Sequence, residues 1–205
     1  MIQRQDVRRN RELLLAGSEV IFREHGLSVP LQLIADHAGV GRGTLYRHFP
    51  DREHLVLAMV ARRIELIETR LAAAPDAAHS VQEIFGWIAD ILSAIPGLHP
   101  YLATTTKGPA TLTLLARRLH DLLAHPIELA QQQALLRPGV TFDDFLAGWA
   151  MIEGSLLTVP LESRAWMAAR AKQLIYSALF IEPAQSAVPN PNAAGLPPDD
   201  RNPSS

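Results

Sequence analysis

The residues of this sequence best equipped for chemistry stand together at Arg42-Gly43-Thr44-Leu45-Tyr46-Arg47-His48. Guanidinium groups grip guanine edges or phosphates bidentately, and hydroxyl and imidazole groups donate to phosphate oxygens. This set suits an interface rather than a reaction. No nucleophile–base pair and no paired carboxylates are legible elsewhere. The chain has no cysteine, which removes disulfides and thiolate metal sites and fits a reducing cytoplasm. His25, His37 and His54 lack an acid at ligand spacing, and His120 and His125 flanking Asp121 come nearest to a metal set. The expectation is a protein with no metal and no cofactor, and not an enzyme.

Such donors read DNA only if a short helix projects them into the major groove and a second helix braces it across a tight turn. Residues 5–25 read as a first helix, with Leu14, Leu15, Ile21 and Phe22 on one stripe and Gly26 as its stop. Pro30 suits the first turn of a second helix whose inward face is Leu31, Ile34, Ala35 and Ala38. Gly39-Val40-Gly41 forces the turn, and a third helix runs from Arg42 to His48 before Phe49-Pro50 ends it. Asp51 caps a long fourth helix with the stripe Leu55, Val56, Met59, Val60, Ile64, Ile67 and Leu71. Leu45 and Phe49 would then pack on the second helix. Arg42, Gly43, Thr44, Tyr46, Arg47 and His48 stay outward, and Gln32, Arg52, Arg8 and Arg11 are further DNA-binding candidates. The plain alternative makes Tyr46 and His48 ordinary surface residues, and Arg4, Arg8, Arg9 and Arg11 a solvated charge run.

The charge layout agrees. Residues 1–63 hold ten arginines against seven acids, whereas residues 64–205 hold nine lysines and arginines against fourteen acids. A basic head on an acidic body suits a protein that touches a polyanion at one end. Hydrophobic residues make up 48% of the chain and charged ones 20%, as in a globular protein with a real core. The N-terminus lacks the apolar segment of a signal peptide, and no run is long enough to span a membrane, so a cytoplasmic location is expected.

Residues 8–63 closely resemble the DNA-binding domain of the TetR family of helix-turn-helix regulators. The resemblance rests on Phe22 and Gly26, Ile34-Ala35, Ala38-Gly39-Val40, Gly43-Thr44-Leu45-Tyr46-Arg47-His48-Phe49, and Arg52-Glu53 followed by Leu55. It implies that Tyr46 and His48 contact phosphates while Arg42 and Thr44 lie nearest the bases. One departure is Val29-Pro30, where many members carry a capping Ser or Thr; Ser28 is close by.

Beyond residue 63 the expectation is all-α, about nine helices in total. A capping box at Ser80-Val81-Gln82-Glu83 would open a helix to Ile95, and Pro96, Gly97 and Pro100 would break it. Pro109–Ala124 would be helical until His125-Pro126 interrupts it, with a shorter segment reaching Leu136. Thr141-Phe142-Asp143-Asp144 would open a helix to Val159, and the last would run from Ser163 to Ile181. The expected organisation is a helix-turn-helix domain over 1–63 (the motif itself at 30–49), a helical effector-binding and dimerisation domain over 64–182, and a disordered, proline-rich tail over 183–205. Phe85, Trp87, Tyr101, Trp149 and Glu153 are candidates for an effector pocket, although aromatic residues on helices are more often plain core. A carboxylate in so apolar a helix needs a partner, and Glu153 is expected to have a structural one. Phe145, Ile152, Leu156, Trp166, Leu174 and Ile181 are candidates for a dimer face. By resemblance the partners are an operator in double-stranded DNA, a second copy of the chain and a small-molecule effector of unknown identity. The function implied is a ligand-responsive repressor bound as a homodimer to a palindrome. A DNA-binding co-regulator without any effector, and an enzyme sharing the helical architecture, are the alternatives.

Overall fold

The protein is described by a computed structural model that places residues 2–74 and 76–181, with side chains from residue 5 onward. The expected tail over 183–205 lies outside the described residues, as does the side chain of Arg4. Among the described residues there are nine α-helices and no strand beyond an isolated antiparallel bridge between Leu136 and Phe180.

The first four helices form the head. α1 (Ile2–His25) buries Leu14, Leu15, Ile21 and Phe22, and Gly26 closes it by donating to the Phe22 carbonyl at 2.9 Å. α2 (Leu31–His37) starts directly after Pro30, which stands at its N-cap and supplies no capping hydroxyl. The turn to α3 (Arg42–His48) depends on Gly39, whose φ of +64° is strained for a residue with a side chain. Leu45 and Phe49 close on Ile34, Ala35 and Val40, all buried. α4 (Arg52–Ala73) begins at Asp51, whose carboxylate accepts the His54 amide at 2.9 Å. Two hydrogen bonds from His54, through its amide and its ring, hold the Asp51 carboxyl below its usual pKa.

The body contains α5 (Ala77–Ala94), α6 (Leu98–Ala103), α7 (Gly108–Gln132), α8 (Phe142–Leu156) and α9 (Arg164–Leu179), with one 3-10 turn at Leu161–Ser163. Its core centres on Phe85, Phe145, Trp149 and Phe180. α4 serves both cores: Leu55, Val56 and Met59 pack in the head, and Ile64 and Ile67 pack in the body. In return Ile95, Leu98 and Leu102 of the body complete the head's core. α6 is therefore bolted to the head by apolar contact. At its far end Gly108 passes the Leu102 carbonyl so closely that a Cβ there would lie 1.8 Å from the oxygen, which fixes the bend into α7.

Three sequence expectations are corrected. α5 does not open at Ser80: Asp76 caps it, accepting from Ala78 and His79 amides at 2.9 and 3.3 Å, and the Ser80 hydroxyl turns back to the Asp76 carbonyl at 2.6 Å. Pro126 does not interrupt α7, which runs through it. The missing amide costs one intrahelical bond, but Leu119, Leu123, Ile127 and Ala130 are buried on both sides of it and keep the helix docked. The break at Pro96-Gly97-Pro100 holds the short helix α6, with Pro100 in its first turns. The Thr141–Asp144 start of α8 stands as expected, the Asp144 carboxylate accepting from the Thr141 amide at 2.7 Å.

Candidate nucleic-acid interface and the cavity behind it

Of the expected DNA-binding residues, Arg42, Gly43, Tyr46 and Arg47 lie exposed on α3, and Thr44 and His48 lie half-buried. The outer face is internally organised. The Arg42 guanidinium lies 5.6 Å from the centre of the Tyr46 ring. Arg47 folds back along its helix, donating to the Gly43 carbonyl at 3.2 Å and the Thr44 hydroxyl at 3.0 Å. Arg11 comes from α1 to stack over Phe49 at 5.5 Å, bringing its cation beside α3, while Arg8 is exposed one turn earlier. Partial burial, then the positive charges of Arg11 and Arg47, push the His48 imidazole below its usual pKa. It is neutral at pH 7 and above, with one ring N–H to offer; an approaching phosphate would favour the charged form.

Two expected contacts are placed differently. Arg52 points inward, its Nη2 donating to the Val29 carbonyl at 2.6 Å. It braces the loop before α2, which lacks a capping hydroxyl, so the sequence departure at Val29-Pro30 is met by α4. The Gln32 amide is held along α2 by Asp36 at 2.6 Å.

Behind the head, α4, α5, α6, α7 and α8 enclose a cavity of about 470 Å³. Its wall is almost wholly apolar, with Ile64, Ile67, Ile88, Leu115 and Leu119 among the lining residues. Of the lining residues, His99, Pro100, Ala103, Ala150 and Gly154 are exposed, so the mouth lies between α6 and α8. Of the effector-pocket candidates, Trp149 and Glu153 are among the residues that line the cavity. Glu153 is 3% exposed and fully engaged: Oε1 accepts from the Gly97 and His99 amides at 3.1 and 3.2 Å, and Oε2 pairs with His99 Nδ1 at 2.8 Å. The expected structural partner is thus the start of α6. Phe85, Trp87 and Tyr101 are elsewhere. Phe85 is sealed in the aromatic core, Trp87 lies beneath the Arg70 guanidinium at 4.6 Å, and Tyr101 packs on the head's core.

The dimer-face candidates divide. Phe145, Ile152 and Leu156 are buried within the protomer, because α8 turns that face towards its own core. Leu174 and Ile181 are exposed and Trp166 is half-buried, joined on the outside by Met151 and Leu157. Among the described residues no three His, Cys, Asp or Glu side chains converge on a metal position, and His120 sits edge-on against Phe142. No described helix is long and apolar enough to cross a membrane.

Sequence reasoning missed Arg63 and His99, the cavity's other polar groups. Arg63 carried a signal: it falls midway between Met59 and Ile67 at helical spacing, a cation on a stripe otherwise apolar.

A two-helix reader with an exposed basic and hydroxyl-bearing third helix, fused to a helical body, defines a helix-turn-helix DNA-binding regulator. Residues 14–59 match the family model described as bacterial regulatory proteins, tetR family. An HTH-type transcriptional regulator of Staphylococcus aureus (strain USA300) is 31% identical over 90 residues, 43% of this chain and 49% of the relative. The match thus spans about half the length of that curated relative. Along nearly the whole fold, the chain is similar to a TetR transcription regulatory protein from Mycobacterium vanbaalenii, at 26% identity and a TM-score of 0.60, covering 87% of this chain and 99% of that one. A TetR transcriptional regulator from Streptomyces coelicolor is also 26% identical, with a TM-score of 0.59 and coverage of 83% and 98%. Residues 14–59 thus carry the DNA-binding domain of the tetR family, and the fold as a whole is similar to that of TetR regulators.

Proposed function

We propose that the chain is a ligand-responsive repressor that binds a palindromic operator as a homodimer in the cytoplasm. The observation that carries this reading is the shared position of α6. Leu98 and Leu102 are part of the head's core, whereas His99, Pro100 and Ala103 line the cavity. A ligand that fits the cavity better in one arrangement of α6 would bias α4 and the recognition helix through the same contacts. The apolar positions left outside α8 and α9, Met151, Leu157, Leu174 and Ile181, are offered as the face for a second copy. Two copies would double the base contacts of one short recognition helix and impose two-fold symmetry on the site.

Selection of bound DNA from a random pool tests the reading directly: a palindrome is expected, and asymmetric or unenriched sequences would overturn it. On the selected DNA, Arg42→Ala should weaken binding by about tenfold or more, and Tyr46→Ala by several-fold, with unchanged thermal stability. Affinity should fall steeply with salt. Unchanged affinity in both variants would remove α3 from the interface.

A further inference from the structure

Arg63 is 6% exposed, lines a cavity whose wall is otherwise nearly all hydrocarbon, and leaves its Nη1 without an acceptor among the described residues. A buried guanidinium with an unpaired N–H group is costly, and it stays in place only where some acceptor completes it. Its one carboxylate neighbour among the described residues is Glu19 of α1, at a long 3.5 Å from Nε. Glu19 is also shared with Arg62, whose Nη1 lies 3.7 Å away, while Arg62 Nε takes Glu12 at 3.0 Å. Arg23 adds a third positive charge felt by Arg63. Glu19 is thus shared between two guanidinium groups, and Arg63 has no carboxylate to itself among the described residues. The cavity's own carboxylate offers a cation little, because Glu153 already accepts two amide bonds and pairs with His99.

We infer that the cavity takes a largely apolar monocarboxylate, its hydrocarbon part against Ile64, Ile67, Ile88 and Leu119 and its carboxylate on the Arg63 guanidinium. This rests on the ligand-responsive reading above and names the chemical class of the ligand. The anion competes with Glu19 for the same guanidinium. By linkage, whatever affinity it gains there is withdrawn from a tie between α1 and α4, a route from cavity to head separate from α6.

The test uses the full chain and three probes of equal length: decanoate, decanol and decylammonium, titrated calorimetrically and by thermal shift. Decanoate should bind at least about tenfold more tightly than decanol, and decylammonium most weakly. Arg63→Gln should reduce the decanoate–decanol ratio to about twofold. Glu19→Gln should tighten decanoate several-fold by removing its competitor. Equal or tighter binding of decanol or decylammonium to the unaltered chain would overturn the anion assignment and leave the ligand-responsive reading standing. No stabilisation by any of the three would overturn both. If Glu19→Gln weakens decanoate or leaves it unchanged, the competition with α1 is wrong. The comparison of head groups on the unaltered chain stands whether or not Arg63→Gln folds.

Discussion

Replacing Phe85 with alanine is expected to destabilise the protein by about 3–5 kcal/mol, the largest loss from any single core truncation in the body. The ring is fully buried and touches four others: Phe145 and Trp149 at 5.6 Å between centres, Phe180 at 5.8 Å and Tyr176 at 6.5 Å. These come from α8, α9 and the segment that follows α9, so one side chain joins α5 to the whole C-terminal layer. A β-carbon placed on Gly148 would lie 3.5 Å from the Phe85 ring, so α8 packs closely on this side chain through a glycine. The Trp149 indole N–H donates to the Phe85 carbonyl at 3.1 Å, and that bond survives truncation because it uses backbone. The cost therefore reports packing alone. At roughly 2–4 °C per kcal/mol for a domain of this size, the midpoint should fall by about 6–20 °C. Phe85→Leu should lose about 1–2 kcal/mol, because much of the volume is kept. Chemical denaturation of the three proteins checks this. A loss below about 1 kcal/mol for the alanine variant would mean that the aromatic cluster does not hold the body together.

The same cluster shows where sequence reading reached its limit. The periodicity of residues 141–159 says that α8 is apolar on nearly all sides, and so buried. Periodicity cannot say whether the cover is the chain itself or a second copy. Phe145 and Ile152 satisfy their burial in the body's own core and Leu156 is fully buried within the protomer, leaving Met151 and Leu157 as the large apolar side chains exposed around α8. Phe85 and Tyr101 are pocket candidates by type alone, but an aromatic side chain lines a cavity only where helices diverge, and divergence is a tertiary property. The head was legible because its signals are local. Gly26, Gly39, Gly41 and Pro50 punctuate the helices, and a seven-residue α3 whose one buried side chain is Leu45 leaves little choice about what faces out. Even there the hydrogen bond of Arg52 is not legible: its partner, the Val29 carbonyl, lies 23 residues back in sequence, and only the folded turn brings them together. Pro126 and Ser80 are local signals overridden by long-range packing or by a better cap a few residues earlier.

Glu153→Leu is expected to cost about 3 kcal/mol or more and to loosen α6 selectively. Two backbone N–H groups, on Gly97 and His99, aim at Oε1, and His99 Nδ1 pairs with Oε2. Leucine matches the volume but accepts nothing, so both amides at the start of a six-residue helix lose their acceptor, at about 1–3 kcal/mol each. α6 cannot hold itself: six residues are far too few for an isolated helix, and its remaining anchors are Leu98 and Leu102 in the head's core. Glu153→Gln keeps an acceptor for both amides and should lose only about 1 kcal/mol. The discriminating measurement is amide hydrogen exchange. In the leucine variant protection at Gly97 and His99 should collapse while the amides of α5 stay slow, and in the glutamine variant both should persist. Uniform faster exchange across the body would mean that Glu153 supports the core as a whole. Selective loss at α6 would place this carboxylate as the pin that holds the cavity's wall in register with the DNA-facing half, so that α6 moves only when α8 moves with it.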